Sequence, residues 1–261
     1  GWMYEAGRGV AQDYEAAVTH DTAVVSVMVA NNEIGTLQPV ADIASAVRGA
    51  NAETAVHTDA VQAFVSEDVT VTSTTADFIT LSAHKFGGPQ GVGLLRVPRD
   101  AQLEPIMHGG GQELGMRSGT HNVAGIVGMV AAMDATVADR ASFRTRVEAV
   151  RDRFEAVLAE LIPDLEVNGA PQQRLVQHSH ISIPDMRSET LLIRLDQVGV
   201  AASAGSACQS GAVEISHVLE AMGFDEVQAA SSLRFTFGWT NQIDDGEEAA
   251  HRVFRVVESL R

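Results

Sequence analysis

Lysine is nearly absent from this chain. Of its 18 basic residues all but one are arginine, and the exception is Lys85. Arginine does not give up its proton in a protein, whereas a buried lysine does, so only Lys85 can supply a neutral amine for Schiff-base chemistry. Cysteine is equally scarce. The single Cys208 excludes an internal disulfide and leaves three options, an inert buried thiol, a reactive thiol or an intermolecular partner. Long apolar runs are missing, so no stretch is suited to cross a bilayer. The first residues also lack the basic and apolar regions of a secretory signal. Positive charge is in short supply: a net charge of −16 argues against nucleic acid or an anionic membrane as a partner. It agrees with a cytoplasmic protein. With 45% hydrophobic and 20% charged residues the composition is that of a folded globular chain. Its 261 residues suffice for one large domain or two ordinary ones.

What is present alternates. Thr22–Ala30 is β-branched and apolar throughout, which predicts a buried parallel strand. A turn-forming cluster, Asn31 to Gly35, follows it, and then Pro39–Ala50 reads as a helix with Pro near its start and Gly49 near its end. Further strands are expected at Thr54–His57, Asp77–Leu81 and Val92–Val97. Strand, helix and strand in this rhythm indicate an α/β layer around a mostly parallel sheet. In such sheets ligands sit beyond the carboxyl ends of the strands. Asn32, Asp59 and Ser82–Lys85 each follow a strand and should therefore share one crevice. Past a glycine-dense stretch from Ile106 to Asn122, an apolar helix (Val123–Val137) gives way to a charged one (Ser142–Leu161). This change near Ala138 predicts two domains, residues 1–138 and 139–261. The second contains expected strands at 165–167, 178–183 and 233–237 and helices at 188–198 and 244–260, the mark of a small α+β unit. No clean period is visible in the first twenty residues.

Lys85 stands between a strand and a glycine-rich turn, in FITLSAHKFGGPQGVGLLRV from Phe78 to Val97. Ser82 and His84 can donate hydrogen bonds to an anionic group beside the amine, and the glycines allow close backbone approach. A tight loop between two strands would explain the same residues. Asp59, in HTDAVQ, is equally readable as a local cap or as the partner of a protonated ring nitrogen. Gln62 three positions on lies on the same side of a helical turn.

Taken in order, six segments resemble the cysteine desulfurase branch of the class V, fold-type I aminotransferases. They are VSVMVANNEIGTLQP, HTDAVQ, LSAHKFGGPQGVG, HGGGQELGMRSGT, AGSACQSG and SSLRFTFG, spread from Val25 to Gly238. The resemblance implies a fold-type I large domain followed by a small α+β domain, with pyridoxal 5'-phosphate as cofactor. It makes Lys85 the Schiff-base lysine and Asp59 the partner of the pyridinium nitrogen, which keeps the ring an electron sink. Gln62 and Asn32 would bond the phenolic side of the ring, with Asn32 also near the substrate. Ser82 and His84 would hold the phosphate, and Thr120 would reach the phosphate bound by a second subunit, which implies a homodimer. Arg234 would bind the carboxylate of L-cysteine, a task for a planar bidentate fork. Cys208, in a loop of small residues, would take the substrate's sulfur as a persulfide and pass it to an acceptor such as an iron–sulfur scaffold.

The pattern also has departures. Relatives of this kind begin with a segment holding a phosphate-binding threonine loop and a histidine that stacks on the cofactor ring; neither is visible here. The resemblance therefore implies that roughly a third of a full-length enzyme precedes Gly1. Leu114 replaces a commonly basic residue. His108 and His121 read as structural, and His178, His180 and His217 show no metal-ligand spacing. Two alternatives stay open, a selenocysteine lyase or other class V lyase, and a truncated paralogue that only dimerises or docks.

Overall fold

A computed structural model describes residues 6–101, 103–204 and 216–261. The patternless opening holds a short helix after all, α1 (Ala11–Ala17), which lies against α2. Strand β1 (Val24–Met28) leads through a loop to helix α2 (Val40–Ala50), whose Val40, Ile43, Ala44 and Val47 form a buried stripe. Strand β2 (Ala55–Asp59), helix α3 (Thr70–Thr75), strand β3 (Phe78–Ser82) and strand β4 (Gly93–Arg96) complete the first unit. Its sheet runs β1-β2-β3-β4, parallel through the first three strands and antiparallel at β4. The α/β expectation with a mostly parallel sheet therefore holds. One detail differs. The apolar run of β1 predicts burial on both sides, yet Val27 is buried whereas Val24 is 55% exposed. The helices cover one face, and the other carries a polar row in which His57 bonds Ser26 and Thr80, both at 2.8 Å.

Helix α4 spans Val123–Leu161 without interruption. Sequence composition predicts two helices there, but Ala138–Ala141 contains no proline or glycine to stop the first. The change of composition marks a change of neighbours instead. Val123, Val127 and Val130 of the first half are exposed, while Phe143, Val147, Val150, Phe154 and Leu158 of the second are buried. The expected domain boundary at residue 138 falls inside this helix.

Beyond α4 come β5 (Glu166–Val167), β6 (His178–Ser182), α5 (Ser188–Gln197), α6 (His217–Ala221), α7 (Glu226–Ala230), β7 (Ser232–Thr236) and α8 (Ile243–Glu258). Strands β5-β6-β7 form an antiparallel sheet with β6 in the middle, every residue of it buried. Helix α8 packs along the second half of α4. One continuous core runs from Val27 and Ile79 beside the first sheet to Phe154, Leu233 and Phe235 beside the second, and a smaller cluster gathers Ile34, Val218, Leu219 and Met222.

The loop after β1 is where the two sheets meet. Leu37 N–H donates to Gln173 and Leu175 N–H to Gly35, so segment 35–37 pairs with 173–175. Arg174 then reaches Glu155 on α4 with both arms of its guanidinium, at 2.8 and 2.5 Å, and the two side chains are only 8% and 13% exposed. Breaking a buried ion pair strands the remaining charge, whereas removing both charges does not. Glu155→Ala is expected to cost about 3–5 kcal/mol of stability, and the double change Glu155→Met with Arg174→Met distinctly less, as read from urea midpoints.

Candidate active site

The register of the first sheet sets Met28 beside Asp59 and Asp59 beside Thr80, so the carboxyl ends of three parallel strands lie in line. Lys85 follows the third. The chain there enters a short 3-10 turn, Ala83–Phe86, ended by Gly87 in the left-handed region (φ 83°). Ala83 and Phe86 are buried, Phe86 against Phe64 at 4.8 Å, and Thr136 of α4 donates to the Phe86 carbonyl. Between these two anchors His84 and Lys85 are left exposed.

Both face a cleft of about 520 Å³ between the sheets. The far wall is Gln177 and His178 of β6 and its flank, with Arg234 and Thr236 of β7. Gln62 closes one side, and Phe143 and Trp239, 5.3 Å apart, form an aromatic rim. None of the described residues lining the cleft is Asp or Glu, although the chain has 34 of them. Lys85 and Arg234 facing each other across such a lining make a site for an anion.

The sequence-predicted residues divide into groups. Gln62, His84, Lys85 and Arg234 line the cleft together. Asn32 lies behind it and presents its carbonyl to Arg234 Nη1 at 2.7 Å. Asp59 stands at the end of β2, where its Oδ1 accepts from Val61 N–H at 2.8 Å in a local turn. Ser82 and His84 bond each other at 2.9 Å. Thr120 is exposed on the glycine-dense segment and does not line the cleft. Cys208 lies outside the described residues. His108 and His121, expected to be structural, are both exposed, and His121 sits 3.2 Å from Glu113.

Matched to known proteins, residues 3–248 fit the Aminotransferase class-V family. The chain belongs to that family. It is 36% identical over 249 residues to a protein named cysteine desulfurase IscS from Dictyoglomus turgidum, covering 95% of this chain and 63% of that one. A cysteine desulfurase of Trichormus azollae is 40% identical over 224 residues, covering 86% and 56%. Among solved structures, a NifS-like protein shares 32% identity with a TM-score of 0.90 over 98% of this chain and 67% of its own. SspA in complex with cysteine shares 29% identity with a TM-score of 0.73, over 91% and 65%. This chain thus spans less than two thirds of the length of the first relatives it matches.

Class V aminotransferases use pyridoxal phosphate, and the donor set fits that group. Lys85 presents a primary amine, the Ser82–His84 pair offers hydrogen-bonding groups of the kind a phosphate takes, and Asp59 offers a carboxylate at the end of the neighbouring strand. With those residues holding it, the group would supply an electron sink for bonds at the substrate's α-carbon.

The strand expected at 178–183 is present as β6, but its place opposite Arg234 was not foreseen. The alternation in Gln177-His178-Ser179-His180 has the strand period, and pairing of His180 with Arg234 puts both histidines on the arginine's face. His178 is held down to about 3, chiefly by burial and then by Arg234, and His180 down to about 4 for the same two reasons. Both are therefore neutral near pH 7. Below their ordinary value near 6.5 the unfolded chain binds protons that the folded one refuses, so stability falls as the pH drops from there toward 4. Each histidine contributes about 1.4 kcal/mol per pH unit in that window. The loss levels off once the folded rings take up their protons. His180→Asn should roughly halve the slope of the urea midpoint between neutral and mildly acidic pH.

Proposed function

We propose that this chain carries the Lys85 and Cys208 portions of a pyridoxal-phosphate cysteine desulfurase. The observation that carries the reading is the cleft itself, lined by an amine and a guanidinium with no carboxylate among its described lining residues, in a chain of this family. Lys85 Nζ holds the cofactor, Asp59 keeps its ring nitrogen protonated, Ser82 and His84 bind its phosphate, and Gln62 and Asn32 border the ring. Arg234 grips the carboxylate of L-cysteine. Cys208 Sγ, as a thiolate, bonds to the substrate sulfur. The substrate's Cβ–S bond breaks, its Cβ gains a proton, and the products are alanine and a Cys208 persulfide. From there sulfur passes to an acceptor protein such as an iron–sulfur scaffold, in the cytoplasm.

A homodimer belongs to the same reading. Ile106 (96% exposed), Leu114 (93%), Val123 and Val127 leave apolar surface on the segment that carries Thr120 and on the start of α4, and exposed apolar surface of this kind supports an interface. Leu114 sits there with φ 56°, a conformation unfavourable for leucine. Residues 1–138 then serve as the cofactor-binding domain and residues 139–261 as the smaller one.

On the full-length protein, L-cysteine should yield alanine and protein-bound sulfur in equal amounts. Lys85→Ala should lose the yellow cofactor, while Cys208→Ala keeps it and forms no persulfide. Full desulfurase turnover in Cys208→Ala, or faster turnover of selenocysteine, would refute the assignment. Arg234→Leu is expected to lower kcat/KM by about 10- to 100-fold, the worth of one or two charged hydrogen bonds. Val127→Asp with Leu114→Asp should shift sedimentation from dimer to monomer.

A further inference from the structure

Among the described residues, the apolar side chains that line the cleft are Val65, Phe143, Phe237 and Trp239. The first three are buried, so the core already covers them. Trp239 is 40% exposed and is the one that offers apolar area to a ligand. It stands on the turn between β7 and α8, close behind Arg234 in the chain. Hydrogen bonds within that turn hold it shut: Gly238 N–H donates to Asn241 Oδ1 at 2.8 Å, and Asn241 N–H donates to the Gly238 carbonyl at 3.2 Å. Arg146 of α4 donates to the Trp239 carbonyl at 3.4 Å. The indole itself meets two other elements. Phe143 of α4 lies 5.3 Å away, the rings tilted by 55°. Gly87 lies under the indole edge, and a Cβ there would stand 3.8 Å from its Cη2. Gly87 ends the turn that carries Lys85. A large, stiff aromatic wall is therefore fixed against the Lys85 turn.

We propose that Trp239 is a specificity-determining residue: its indole limits the cleft to amino acids with short side chains. The inference rests on the reading of this cleft as the site for L-cysteine. Every α-amino acid presents the same amine and the same carboxylate, so Lys85 and Arg234 do not tell one from another. Selection falls to whatever meets the side chain, and a bulky wall held in place selects by clash. The CH2–SH arm of cysteine fits inside the wall, whereas a benzyl arm needs the volume that the indole occupies. A small residue in place of Trp239 would leave that volume open, lined by Phe143 and the Gly87 turn, and an aromatic ring would fill it.

The test compares L-alanine and L-phenylalanine on the full-length, cofactor-loaded protein by calorimetry near neutral pH. The wild type is expected to bind L-alanine more tightly by about tenfold or more. Trp239→Ala should raise the affinity for L-phenylalanine about tenfold relative to that for L-alanine, the worth of burying a benzyl group in the vacated space. Trp239→Phe, which keeps a ring against Phe143, should give a smaller gain in the same direction. A merely structural role for Trp239 would weaken both ligands together and would not improve the larger one. Equal losses, an unchanged ratio, or a wild type that binds L-phenylalanine as tightly as L-alanine would overturn the proposal and leave the desulfurase reading standing. The ratio of the two affinities does not depend on the fraction of protein folded, so a destabilised variant still discriminates between these outcomes. A wild type that binds neither L-alanine nor L-cysteine would refute the reading of the cleft itself, and this inference with it.

Discussion

One hydrogen bond, from Arg234 Nη1 to the carbonyl oxygen of Asn32, spans the gap between two sheets that otherwise differ in every respect. The first is largely parallel and open on one face; the second is antiparallel with a wholly buried centre. Each sheet contributes one half of the cleft, so the chemistry needs them at a fixed separation. A main-chain acceptor is a suitable fixture. It cannot change rotamer or take up a proton, and its place is set by the loop that follows β1. That loop is pinned over its whole length, by the 35–37 pairing with 173–175 and by Glu33 accepting from Ser216 at 2.5 Å.

Strand ends supply the groups and packing supplies their direction. Lys85 is exposed because its neighbours are not: Ala83 and Phe86 go into the core, and a 3-10 turn of four residues leaves the two between them outside. Arg234 projects from a strand whose opposite face lies in the core through Leu233 and Phe235. Both placements follow from hydrophobic burial of adjacent residues, with no special interaction at the functional side chain itself.

Much of this was legible in the sequence, for physical reasons that can be named. Strands β1, β2 and β3 are short apolar runs with turn residues behind them, and each lies within two residues of its expected span. Their carboxyl ends therefore predict that Asn32, Asp59 and Lys85 share one crevice, but of the three only Lys85 lines the cleft. The uninterrupted α4 was not legible, because composition reports what a helix packs against and not whether it continues. Nor was the burial of His178 and His180 beside Arg234: two histidines without a metal-like spacing carry no signal until β6 is known to pair with the strand bearing Arg234. Asp59 showed the opposite limit: the local reading of this residue is the one that the hydrogen bond to Val61 bears out.

The long helix has a further consequence, for the kinds of change this chain tolerates over generations. At 39 residues α4 is about 58 Å long, and it touches the Lys85 turn with its first half and β6 and α8 with its second. Deleting one residue near Ala138 would rotate one half against the other by about 100°. Every buried position beyond that point would then face the wrong way. An insertion of seven would nearly restore the phase but would separate the halves by about 10 Å, and with them the amine and the guanidinium. Point substitutions on the exposed side of its second half are free to accumulate. Length is not free to vary, and the number of residues between Thr136 and Phe154 is as much a part of the site as the residues that line it.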